Sequence, residues 1–166
     1  MKKKIVLLSV VLLLLVGCSM DNTPTSIVEN LLSKYQKVDN DIDNGINTVI
    51  EEQNLTTEHK ERYRKLLEKQ YRNLSYEIKD ENIDGNTATI ITEIEVLDYK
   101  NAIADLTFDS SIYTKDSFDE EKLNRLEATT NKVTYTIELT LTKDEEGKWH
   151  LDALTNEQIK KIQGMY

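Results

Sequence analysis

Near Leu74 the hydrophobic period of this chain changes from helical to extended, and any fold it adopts must bury both kinds of stripe. Upstream, Ile27, Val28, Leu31, Leu32, Tyr35 and Val38 recur at helical spacing, with Ser26 and Glu29 spaced as a capping box and Pro24 suited to a first turn. Asp39-Asn40 weakens that helix. Ile42, Ile46, Val49 and Ile50 continue the helical spacing through Gly45 until Gln53-Asn54 breaks it. Thr57 reads as the N-cap of a third helix reaching about Asn73, with Tyr63, Leu66, Leu67, Gln70 and Leu74 inward. Its outer face carries the i,i+4 pairs Glu61–Lys65 and Glu68–Arg72.

Downstream, Leu74, Tyr76 and Ile78 alternate with polar residues, and so do Ala88, Ile90, Thr92, Ile94 and Val96. Asp84-Gly85 between them supplies the backbone that a tight hairpin wants. The stretch Tyr99–Asp109 fits either a short helix or a loop with Phe108 tucked beneath it. Ser117 and Glu120 have capping-box spacing ahead of a helix with Phe118, Leu123 and Leu126. Val133, Tyr135, Ile137, Leu139 and Leu141 then form a long half-buried strand, turned by Asp144–Gly147 into Lys148–Asp152. Thr155 and Gln158 open a last helix carrying Ile159 and Ile162. The order predicts an α+β fold: N-terminal helices packed on a curved antiparallel sheet of about four strands, with a C-terminal helix.

The start of the chain concerns address rather than fold. Lys2, Lys3 and Lys4 precede an apolar run from Ile5 to Val16, short of the ~20 residues of a bilayer-spanning helix and shaped as a secretory leader. It ends in Leu15-Val16-Gly17-Cys18, which resembles the lipobox of bacterial lipoproteins at all four positions. The resemblance implies cleavage between Gly17 and Cys18 and a diacylglyceryl thioether on Cys18. Such chains partition into a membrane at roughly 0.8 kcal/mol per methylene, and two of them make a stable anchor. The expected organisation is therefore a leader at 1–17, a lipidated tether at 18–24 and one domain at 25–166, held on the extracytoplasmic face of a bacterial cell membrane.

Cys18 is the only cysteine, so the domain has no internal disulfide, thiol nucleophile or cysteine metal site. The net charge of −9 becomes more negative once Lys2–Lys4 leave with the leader, and no basic patch relieves it. Nucleic acid is thereby disfavoured as a partner.

With the lipobox, three further elements carry a wider resemblance: the helix from Pro24 to Val38, the hairpin around Ile83-Asp84-Gly85-Asn86-Thr87-Ala88, and the last strand Gly147-Lys148-Trp149-His150-Leu151. The chain resembles small bacterial lipoproteins whose mature part is a cystatin-like α+β roll, in the superfamily of nuclear transport factor and ketosteroid isomerase. The resemblance spans Pro24 to Asp152 and implies a cone-shaped sheet with an apolar pocket. Two features depart from it, the long stretch Lys100–Lys132 and the helix after the last strand.

Chemistry-bearing residues are few. His59 sits on the first turn of a charged helix, where solvent is expected, and His150 is expected to face away from the core. Asp80, Glu81 and Asp84 lack the spacing of a calcium loop, and the acidic run Asp116–Glu121 suits a helix N-terminus. The superfamily analogy would nominate Tyr76, Tyr135 and Asp98 for an isomerase or dehydratase. The five scattered glycines form no phosphate loop, and zinc and nucleophile-elbow motifs are absent. The reading is thus a lipid-anchored, non-enzymatic binding domain without cofactor or metal. Its ligand would be an envelope protein, a peptide or an apolar small molecule on the concave sheet face, at Ile90, Ile94, Tyr135, Ile137 and Trp149. An enzyme using the cone, or a structural accessory of the envelope, is the alternative.

Overall fold

A computed structural model describes residues 22–53 and 55–166; Gly17 and Cys18 lie outside them. Helix α1 (Pro24–Lys37) starts at Thr23, whose side chain accepts from the Ser26 amide while Ser26 Oγ accepts from the Thr23 amide. The capping box thus sits one turn ahead of the expected Ser26–Glu29 pair. A left-handed Val38 (φ 50°) ends α1, and Asp39 then caps α2 (Asn40–Glu52). The polar pair expected only to weaken the helix is a sharp junction between two. Helix α3 (Thr57–Arg72) is capped by Thr56, one residue before the expected Thr57.

Strands β1 (Ser75–Asp84) and β2 (Thr87–Leu97) follow, then α4 (Tyr99–Ala102), α5 (Lys115–Ala128), β3 (Lys132–Lys143), β4 (Trp149–Leu151) and α6 (Asn156–Ile162). The fold is α+β, with a four-stranded antiparallel sheet in the order β1-β2-β3-β4. Gly85 and Asn86 form the two-residue turn between β1 and β2; of this pair only Gly85 has positive φ, so Asp84 closes the strand rather than joining the turn. Thr114 and Ser117, not Ser117 and Glu120, make the capping box of α5. The α6 box at Thr155 and Gln158 is as the spacing predicts. Of the two readings of Tyr99–Asp109 the short helix holds for its first turn, but Phe108 is 49% exposed rather than tucked away, edge-on to Phe118.

The even-numbered residues of β2 from Ala88 to Val96 face inward, where Ile90 and Ile94 meet Ile137, Leu139 and Leu141 of β3. Val28 and Leu32 of α1, Ile46 and Ile50 of α2, Leu67 and Tyr71 of α3 and Ile162 of α6 join the same core. Each such side chain contributes about 1.5–3 kcal/mol by leaving water. Tyr35 meets Tyr71 edge-on within it, and burial pushes the Tyr35 hydroxyl up to about 12. A smaller cluster of Leu66, Leu97, Tyr99, Leu123 and Leu126 mounts α4 and α5 on the back of α3.

One polar residue joins the two clusters. Gln70 of α3 is fully buried, and its amide donates to the Leu97 carbonyl at 2.9 Å and accepts from the Leu97 amide at 2.8 Å. The side chain thus completes the hydrogen bonding of β2 where the sheet runs out. Gly164 packs directly on this joint with φ 67°, and its carbonyl accepts from Lys100 N at 2.8 Å.

Candidate functional site

Four of the five residues expected to line a pocket are brought together, but as core. Ile90 and Ile94 are 0% exposed, Ile137 1% and Trp149 7%, and the helices lie over them. Tyr135 stands at the rim, donating to the Tyr166 carbonyl at 3.0 Å. None of the cavities described below has any of the five in its wall. The expectation of an open pocket at these residues is corrected: three leading helices and α6 together carry enough apolar surface to fill the inner face under β2, β3 and β4. The residues nominated for isomerase chemistry have structural roles: Tyr76 and Tyr135 flank Ile94 on one rung of the sheet. Asp98 caps α4 through the Asn101 amide, while Tyr76 and Tyr135 sit on different strands and at different margins of the core.

His59 departs from its expected setting. It is 5% exposed, because α5 lies across the first turns of α3. Its Nε2 is 3.1 Å from Glu120 Oε2, and its Nδ1 faces Asp116 Oδ1 at 3.7 Å without a hydrogen bond. Arg62, one turn on, donates to Glu120 at 2.7 Å, to both Glu127 oxygens at 2.7 and 2.8 Å, and to Asn124 at 2.7 Å. Hydrogen bonds from Arg62 hold the Glu120 and Glu127 carboxyls below their usual range. This arrangement clamps α5 to α3. His150 lies on the outer face as expected, 2.6 Å from Asp144, whose carboxyl is lowered first by the Lys148 amide.

The clamp carries a pH dependence. Carboxyls whose folded values are depressed contribute stability that is present above their unfolded range and lost as pH falls through the folded values. Acidification below about pH 4 should therefore loosen α5 on α3 ahead of the sheet, with Leu123 and Leu126 still packed on Leu66. Following α5 and β2 amide signals through the titration checks this; loss of both sets together would mean that the clamp is not what holds α5.

Open space lies elsewhere. A polar groove of about 460 Å³ runs past Asp98, Arg125 and Asn131, and a smaller one of about 220 Å³ separates Leu55 from Lys122. A third, of about 590 Å³, follows the outer stripe of α1 (Ser26, Glu29, Asn30, Ser33, Lys37) from Asn22 to Tyr76 of β1, with Ile27 in its wall. Tyr76 belongs to the inner face of β1, opposite Ile94. So does Ile78, opposite Thr92. Beyond an irregularity at Lys79 the parity flips, and Glu81 and Ile83 take the inner face, opposite Ile90 and Ala88. Tyr76 and Ile78 are only half buried and Ile83 is 53% exposed. The inner face is therefore filled under β2, β3 and β4 and open along β1.

The sheet edges differ in the same way. On β3, the Thr136 carbonyl accepts from Lys161 Nζ at 3.2 Å, Glu138 from the Gln158 amide, and Thr140 from the Asp152 amide at 2.9 Å. On β4, the Asn22 side chain takes both outward groups of Trp149, accepting from its N–H at 2.6 Å and donating to its C=O at 3.1 Å. On β1, Gln36 caps only the Leu74 carbonyl just ahead of the strand, at 2.9 Å. From Ser75 to Asp84, apart from the ladder to β2, no backbone–backbone hydrogen bond reaches another element among the described residues. A free edge beside a groove is a surface that other chains can read.

Sequence reasoning located the inner face correctly but missed this margin. Its signal was the parity change from Tyr76 and Ile78 to Ile83, which a regular strand cannot show. The chain matches no protein-family model, and no curated protein and no solved structure matches it.

Proposed function

We propose that this chain is a lipid-anchored interaction domain on the extracytoplasmic face of a bacterial membrane, binding its partner along the α1 groove and the open β1 margin. The observation that carries the reading is the contrast between the two halves of the inner face, one packed solid, the other exposed beside a groove of about 590 Å³. The address rests on Leu15-Val16-Gly17-Cys18. Among the described residues no helix is long and apolar enough to cross a membrane. The groove is lined at one end by Asn22, four residues after Cys18, a separation of at most about 14 Å of extended chain. A partner would therefore be met close to the lipid surface.

Cys18→Ala tests the anchor. The variant should move from the membrane fraction to the soluble fraction with its thermal unfolding unchanged, because Cys18 precedes every packed element. Retention in the membrane fraction would remove the lipid anchor from the reading. For the surface, Ser33→Arg and Tyr76→Ala in the groove should abolish partner capture that Thr136→Arg, on the outer face of β3, leaves intact. The reverse order would move the surface elsewhere.

A further inference from the structure

The open edge of β1 specifies what it can take. A two-residue turn makes Asp84 and Thr87 a hydrogen-bonded pair, and in an antiparallel ladder such pairs alternate. Asn82–Thr89 and Asp80–Ile91 are then bonded as well. Glu81 and Ile83, in the intervening pairs, point their amides and carbonyls away from β2. The Glu81 amide is turned onto its own neighbour, Asp80 Oδ1, at 2.9 Å, a contact that an incoming strand would displace. Outside the ladder, the Ile83 amide makes no backbone–backbone bond to another element among the described residues.

The side chains of this segment divide by face. Asp80, Asn82 and Asp84 lie on the outer face, Glu81 and Ile83 on the inner. Asp80, Glu81 and Asp84 make no ion pair among the described residues, whereas the nearby Glu77 and Glu93 share Lys79 at 2.5 and 3.5 Å. The edge thus offers uncompensated carboxylates at every second outward position and an exposed isoleucine between them. A second copy of this chain would bring the same charges to the same edge, and each chain is strongly acidic.

We infer that β1 adds a fifth strand from a partner: an extended basic peptide segment in which lysine or arginine alternates with apolar residues, paired along Asp80–Asp84 with its basic side chains on the outer face. Main-chain bonds to Glu81 and Ile83 hold it, and the carboxylates select it. The apolar residues lie on the inner face, against Ile83 and beside the Glu81 stem. The irregularity at Lys79 twists the strand at that point and confines pairing to the five residues beyond it. This inference rests on the β1 margin being the interaction surface.

The test uses the full chain carrying Cys18→Ala, with a blocked nine-residue peptide of alternating lysine and valine, and its glutamate–valine counterpart, as probes. Binding of the lysine peptide should slow hydrogen exchange of the Glu81 and Ile83 amides at least tenfold and leave those of β3 unchanged. Ile83→Pro, which removes one outward amide without touching the β1–β2 ladder, should weaken binding at least tenfold. Asp80→Lys with Asp84→Lys should transfer the preference to the glutamate peptide. Unfolding curves of both variants, matched to the parent, show that the fold is kept. Protection of the α1 groove and Tyr76 without the two edge amides would overturn strand addition and leave the interaction surface standing. Silence at both, at peptide concentrations up to millimolar, would overturn both. Protection of Glu81 and Ile83 that rises with protein concentration and needs no peptide would overturn the basic partner in favour of a second copy.

Discussion

Gly164→Ala is expected to be the most damaging single methyl that this chain can receive. The residue has φ 67°, where an L side chain costs about 1–2 kcal/mol, and an added Cβ would run into the Leu97 carbonyl oxygen and the Gln70 amide nitrogen. Neither can step aside. Leu97 O is backbone at the end of β2, and Gln70 is held by two hydrogen bonds to that residue. Forced overpacking adds about 1–3 kcal/mol, so the total loss is about 2–5 kcal/mol, or a fall in Tm of roughly 5–20 °C. Thermal unfolding followed by circular dichroism measures it. The same substitution at Gly45, where a Cβ meets nothing within 4 Å, is the control and should raise Tm slightly, since α2 gains a better helix former. Equal effects at both sites would mean that the C-terminal turn does not dock on this joint.

Gln70→Leu is expected to cost about 2–4 kcal/mol although it replaces a buried polar side chain by an apolar one of similar size. The reason is what it leaves behind. The Leu97 amide and carbonyl would both be buried without partners, at about 1–3 kcal/mol each, and the leucine's own burial returns only part of that. Gln70→Glu separates shape from hydrogen bonding: a carboxylate accepts from the Leu97 amide but repels its carbonyl, so it should be no better than leucine at neutral pH. Denaturant unfolding of the two variants and the parent decides the matter. A change below about 1 kcal/mol for leucine would show that water reaches Leu97, and that the joint is not sealed. Because Gly164 and Gln70 touch, the double variant should lose less than the two singles together.

Local pattern carried much of the fold. Ile90, Ile94, Ile137 and Leu139 announce their face by alternation, and Thr155 with Gln158 announces α6 by cap spacing alone. Errors arose where two local solutions compete. Ser26 and Ser117 each suit an N-cap, but each serves as the third residue of a helix capped by a threonine three positions earlier, which position-by-position reading ranks no higher. His59 was beyond local reach: α3 by itself leaves that turn in water, and only the docking of α5, nearly sixty residues on, covers it. The expected pocket failed for a related reason. Periodicity says which side of a strand is apolar, whereas the amount of helix available to cover that side decides whether anything remains open. Here that amount is sufficient for three strands and runs short at β1, which is why the proposed surface lies there.

The two bonds from Asn22 to Trp149 have a mechanical consequence. A pull on the chain ahead of Asn22 does not reach α1 first. It loads β4 through both bonds of one rung, and from there it passes across the β3 ladder into the body of the sheet. A domain tugged from its leading end would keep its shape until that rung gives way, and Asn22→Ala would turn the same tug into an unzipping of α1.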